Sequence, residues 1–164
     1  MFLTIALLLP QVFHQFQDFG RIFLPMHLPV ILCGFICGWP WGLAVGLVAP
    51  LLSSAIFGMP MIFPIGVSMA FELAMYGAAS GFLYRLLPKK ISFIYITLIT
   101  SMILGRIISG TIQYLIAGFK NTEFNFSAFI AGVTTIALPG IIIQIILIPL
   151  LILAFRRTRF ILND

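Results

Sequence analysis

The stretch GFICGWPWGLAVG, residues 34–46, sets glycine at positions 34, 38, 42 and 46 of an uncharged run and places a proline between two tryptophans at its centre. Four-residue spacing stacks small residues on one face of a helix. In lipid the hydrophobic effect cannot draw helices together, so close backbone approach along such faces takes over. The stripe continues into Pro50, Ser54 and Gly58, and Gly77 and Gly81 repeat it further along. The reading is of two short antiparallel helices showing smooth faces to a neighbour, with Trp39-Pro40-Trp41 as a tight turn whose indoles sit at headgroup depth.

Composition sets the same frame. Of 164 residues 62% are hydrophobic and 8% charged, and the mean hydropathy is +1.19, well beyond a wetted soluble domain. Backbone groups in hydrocarbon must pair within helices or a closed barrel, and long continuous apolar runs select helices. The chain is expected to be an all-α integral membrane protein: one domain over 1–164, with six transmembrane helices at 1–14, 24–38, 41–57, 64–87, 91–117 and 128–155. Pro25 and Pro29 interrupt the start of the second, so regular helix is expected only from near Leu28. MFLTIALLLP lacks a basic flank and a small-residue cleavage site and reads as a retained first span.

Arg85, Lys89 and Lys90 share one loop and Arg156, Arg157 and Arg159 follow the last span, which predicts a cytoplasmic side for both and hence two cytoplasmic termini. The loops HQFQDFGR, FGMPMIFP and GFKNTEFNF then face outward. The net charge of +5 is explained by span ends, with no call for nucleic acid. Cys33 and Cys37 read as small core residues.

Glu72 and Arg106 lie well inside predicted spans, where an unpaired charge costs at least about 2.5–3.5 kcal/mol. Counted from the outer ends, their depths differ by only about 5 Å at 1.5 Å per residue, so they are placed to meet. Ser68, Glu72, Tyr76 and Ser80 recur every four residues, Arg106, Ser109, Gly110 and Gln113 share a face of the next helix, and Gln144 adds a polar group from the last. Two readings fit: a structural ion pair, or the wall of a small-molecule pocket opening outward. Phe71, Tyr76 and Tyr114 are candidate aromatic walls. His14 and His27, near the outer surface, are expected to cap helix ends or touch a ligand. No metal set and no cofactor is expected, since no carboxylate or cysteine completes them. There is no phosphate-binding loop, H-E-x-x-H or G-x-S-x-G, so no ATP, peptide or ester hydrolysis is expected and the chain reads as a non-enzyme.

FLPMHLPVILCGFICG, WGLAVGLVAPLLSSAIFGMP, MAFELAMYGAASGFLYR and LGRIISG resemble the substrate-binding S component of energy-coupling factor (ECF) vitamin transporters. PMHLPV, PLLSS-x-x-x-GMP and FELA-x-YG are the most specific parts. The resemblance implies six helices in a bacterial plasma membrane and an outward-facing vitamin site on the later helices. It also implies no catalysis, and as partners a transmembrane coupling protein and two cytoplasmic ATPases. On this reading Glu72, Tyr76, Arg106, Gln113 and Gln144 touch ligand while His14, His27 and Asn121 to Asn125 gate it. Arg106 favours an anionic ligand such as pantothenate, an argument that a pair with Glu72 would cancel. The family's small-residue docking pattern on the first helix is matched only at Ala6, between Phe2 and Pro10, which leaves two expectations: a truncated start, or docking on the glycine faces of the second and third helices. An alternative is an autonomous secondary transporter or channel in which Glu72 couples protons.

Overall fold

Proline and glycine decide where the helices begin and end. The computed structural model describes residues 1–14, 25–88, 90–119 and 138–157, with Phe13, His14 and Arg157 described by backbone alone. Within them regular structure is entirely helical: α1 (Phe2–His14), α2 (His27–Cys37), α3 (Trp39–Phe57), α4 (Val67–Leu86), α5 (Ile91–Phe119) and α6 (Leu138–Arg157). Four helical stretches are long and apolar enough to cross a membrane: Trp39–Phe57, Ile62–Leu86, Ile91–Phe119 and Leu138–Arg156. Two apolar helices, Phe2–Val12 and His27–Cys37, are shorter. Six α-helices are therefore present among the described residues, four of them in stretches long enough to span. The expected span 128–155 is described from Leu138, and its first part lies outside the described residues.

The break after α2 falls one residue earlier than the Trp-Pro-Trp reading placed it. Gly38 carries it, at φ 96° and ψ 169°, a backbone that a side chain strongly disfavours. Its N–H donates to Gly34 C=O at 3.0 Å and its own C=O accepts from Gly42 N–H at 3.1 Å, so one residue closes α2 and opens α3. Trp39, Pro40 and Trp41 form the first turn of α3, where proline has no hydrogen bond to lose.

At the far end of α3, Gly58 adopts the left-handed conformation, φ 71°, and donates to Ser54 C=O at 3.0 Å. Ser53 Oγ donates to Met59 C=O at 2.8 Å, and Ser54 Oγ sits between the carbonyls of Pro50, 2.9 Å, and Pro60, 2.5 Å. A kinked turn over Ile62–Gly66 follows, with Phe63 extended and Gly66 N–H donating to Met61 C=O at 2.8 Å. The chain then enters α4.

α4 is the centre of the bundle, packing extensively on α3, α5 and α2. Glycine permits it. A methyl group on Gly42 would overlap the Gly77 carbonyl, one on Gly77 the Gly42 carbonyl, and one on Gly34 both Ser80 Oγ and the Gly77 carbonyl. The four-residue stripe thus brings three backbones into van der Waals contact, the packing that lipid rewards. These glycine faces are occupied by α4, which corrects the expectation that they receive a coupling protein. Around the contact, Val30, Ile31 and Phe35 of α2, Leu73 and Tyr84 of α4, Leu98 and Met102 of α5, and Ile148 and Ile152 of α6 close the core.

Candidate functional site

Along α4 the polar stripe is buried in full: Ser68, Glu72, Tyr76 and Ser80 are each 6% exposed or less. Its members face different neighbours. Ser80 Oγ donates to α4's own Gly77 C=O, 3.1 Å, and faces Ile31 C=O of α2, 3.4 Å. Ser68 Oγ lies 3.1 Å from Ser109 Oγ of α5, and Gln113 Nε2 donates to that same Ser109 Oγ at 3.2 Å. Between these two zones sits Glu72.

One oxygen of Glu72 gathers three groups from three helices. Tyr76 Oη donates to Glu72 Oε1 at 2.8 Å, one turn along α4. Arg106 Nη1 of α5 reaches the same atom at 3.1 Å, and His27 Nε2 of α2 stands 3.7 Å away. The expected meeting of Glu72 and Arg106 is therefore realised, and the charge–charge contact offsets the cost of holding each ion at this depth. Tyr76 has neighbours on α2 and α5. Its ring lies 5.3 Å from the His27 ring, and Gly105, next to Arg106, supplies the room for it, since a methyl group at 105 would overlap Cε1 and Cδ1 of the ring.

The cluster is not saturated. Among the described residues, His27 Nδ1 and Nε2, Arg106 Nε, and both amide atoms of Gln144 are buried with no hydrogen-bond partner. Buried polar groups in folded proteins are almost always paired, with protein, water or ligand. The guanidinium also keeps access, at 22% side-chain exposure against 7% for Glu72.

Depth explains that access. His27 is the first residue of α2 and Glu72 the sixth of α4, about 8 Å along the axis at 1.5 Å per residue. Arg106 lies about 20 Å from the Phe119 end of the 29-residue α5. The cluster thus sits close under the end of the bundle where α2 and α4 begin, and α5 rises beyond them on one side.

The other expected residues divide. Gln144 is buried at 1% exposure on α6, which packs on α2 and α5. Gln113 is half-buried and joined to the Ser109–Ser68 pair. Phe71 and Tyr114, expected as aromatic walls, are 44% and 64% exposed and stand on the outer surface. His27, expected near the outer end of the second span, is the first residue of α2, 2% exposed and beside Glu72. His14 ends α1, and its side chain, with Asn121 to Asn125, lies outside the described residues. Gly105 was missed. The signal was present in LGRIISG, a small residue directly before a buried cation, but a glycine reveals its partner only in three dimensions.

A family model described as "ECF transporter, substrate-specific component" matches residues 1–152. The chain belongs to this family. Comparisons with curated proteins and with solved structures returned no match. As an ECF substrate-specific component the chain is a membrane protein and a transport subunit, and it is not an enzyme. Membership in the ECF family implies a small-molecule substrate and, as partners, the transmembrane and ATPase subunits of the ECF module. Within that frame, a buried carboxylate–guanidinium pair with unpaired donors beside it can bind and orient a polar molecule while the bundle excludes water.

Proposed function

We propose that this chain is the high-affinity receptor of an ECF importer for a water-soluble vitamin or precursor, and that the ligand seats on the Glu72–Arg106–His27–Tyr76 cluster with Gln144 and Gln113 as further contacts. The observation that carries this reading is that, among the described residues, Arg106 Nε and the His27 ring nitrogens at the ion pair, and the Gln144 amide on α6, are buried without a hydrogen-bond partner. A purely structural pair is stabilised by completing its hydrogen bonds, whereas this one leaves donors open. The basic residues Arg85 in the last turn of α4, Lys90 just before α5 and Arg156 at the end of α6 support cytoplasmic termini and an outward-facing cluster.

Glu72 already neutralises Arg106, so an anion such as pantothenate would have to compete with a carboxylate 3.1 Å away. The electrostatic reason for preferring an anionic vitamin is therefore withdrawn, and a neutral or zwitterionic ligand fits the cluster better.

Mass spectrometry of small molecules retained by the detergent-purified chain tests the proposal. A vitamin-like compound should co-purify with the parent and be lost from Arg106→Ala. Liposomes holding the chain alone should show no concentrative uptake until the ECF module and ATP are supplied. Uptake by the chain alone, abolished by Glu72→Gln, would instead establish an autonomous proton-coupled transporter.

A further inference from the structure

Apart from Arg106, every basic residue among those described lies at one end of the bundle. Arg85 is in the last turn of α4, Lys90 precedes α5, and Arg156 and Arg157 end α6. Arg156 reaches α4 directly, its guanidinium carbon 5.9 Å over the ring of Tyr84, the residue before Arg85. The sole carboxylate side chain among the described residues is Glu72, committed to Arg106 at 3.1 Å inside the bundle. Arg85 and Lys90 are exposed, and these residues give them no counter-ion.

The turn between α2 and α3 brings both tryptophans to the same end. A methyl group on Gly81 of α4 would overlap the backbone N and Cα of Trp39, so the crest of that turn rests on α4 one helical turn before Arg85. The hairpin stops there, and Arg85 emerges past it. Trp39 and Trp41 are 42% and 65% exposed, as are, at 52% and 65%, Phe82 and Leu86, the residues that follow Gly81 and Arg85 on α4. The 19 residues of α3 extend about 28 Å at 1.5 Å per residue, close to the roughly 30 Å of a hydrocarbon core. Its first turn, with both indoles, therefore falls at the headgroup boundary, the depth that indoles favour.

Cations lacking a counter-ion at that boundary, with indole donors and exposed apolar side chains at the same end, complement a phospholipid. A guanidinium can fork onto two phosphate oxygens, and the apolar side chains suit the acyl chains. A zwitterionic headgroup brings a cation of its own, so the excess positive charge selects a net-negative headgroup. We propose that the end of α4, with the Trp39–Trp41 turn resting on it, is a binding site for an anionic phospholipid. Arg85 and Lys90 hold its headgroup, and Phe82 and Leu86 lie against its acyl chains. This site is separate from the Glu72–Arg106 cluster and does not rest on the receptor reading.

Trp39 and Trp41 are the only tryptophans in the chain, so intrinsic fluorescence reports on this corner alone. The purified full chain is placed in vesicles of phosphatidylglycerol and phosphatidylcholine in varied ratio, with one or the other lipid brominated on its acyl chains to quench the indoles it touches. The expected result is a relative affinity for phosphatidylglycerol of at least about fivefold, the factor that one basic side chain supplies near an anionic surface. Arg85→Gln combined with Lys90→Gln should bring the ratio to within about twofold of parity. Equal quenching by the two lipids on the unaltered protein overturns the proposal whether or not the variant folds, and leaves these cations to an acidic protein surface. A preference for phosphatidylglycerol that the double variant keeps in full also overturns it.

Discussion

Gly105 of α5 lies so near the ring of Tyr76 on α4 that a Cβ at 105 would overlap the ring's Cε1 and Cδ1. That contact holds the phenol where its hydroxyl donates to Glu72 at 2.8 Å. A backbone without a side chain on one helix thereby sets the geometry of a buried carboxylate on another.

Gly105→Ala should therefore act on the cluster without touching a charge. Overpacking of this kind costs about 1–3 kcal/mol, expected as a lower melting temperature in detergent. Gly105→Ala combined with Tyr76→Leu, which removes the clash, should recover much of that loss. Equal melting of parent and Gly105→Ala would show that the ring is not held there.

The Glu72–Arg106 pair should be strongly coupled. Glu72→Gln or Arg106→Leu each strands the opposite charge in the bundle, a loss of about 3–5 kcal/mol for a buried pair. The double variant strands none, and should be less destabilised than the sum of the two. A thermal double-mutant cycle measures this, and additivity within error would mean the two side chains do not share an interaction.

Two glycines separate conformational from steric need. Gly58 has a positive φ and open space around a hypothetical Cβ, whereas Gly77 has a Cβ direction filled by the Gly42 backbone. Gly58→Ala should cost on the order of 1 kcal/mol. Gly77→Ala should cost several times more, because two helix backbones must separate, and it should lower the yield of folded protein in size-exclusion chromatography.

Ser54 Oγ lies 2.5 Å from Pro60 C=O, tying the turn after α3 to the end of that helix. Ser54→Ala should cost about 1 kcal/mol, and hydrogen exchange should rise within residues 59–66 while the amides of α4 beyond Leu73 keep their protection. Uniform deprotection of α4 would place the hydroxyl's role in the bundle instead of the turn.

Part of the site was legible before any fold was known. Glu72 and Arg106 stand out because charge in an apolar run demands a partner, and their distances from span ends allow them to meet. Ser68, Tyr76 and Ser80 follow from four-residue spacing. His27 was legible as the entry to the second span, but its neighbour was not, since only the packing of α2 on α4 brings the ring beside Glu72. Phe71 and Tyr114 were given the wrong side because aromatic residues are as much at home against lipid as within a pocket.

The amino-acid sequence alone determined the solvent, the helical class, the approximate element boundaries and the two charges that must be paired, because each is a property of one segment and its surroundings. The tertiary structure decided which glycine meets which backbone, that the α2–α3 break rests on Gly38, and that one oxygen of Glu72 collects groups from α2, α4 and α5. Those are relations between segments far apart in the chain. Lipid supplies no apolar driving force to choose among pairings, so shape and hydrogen bonding choose, and neither can be read from a single helix.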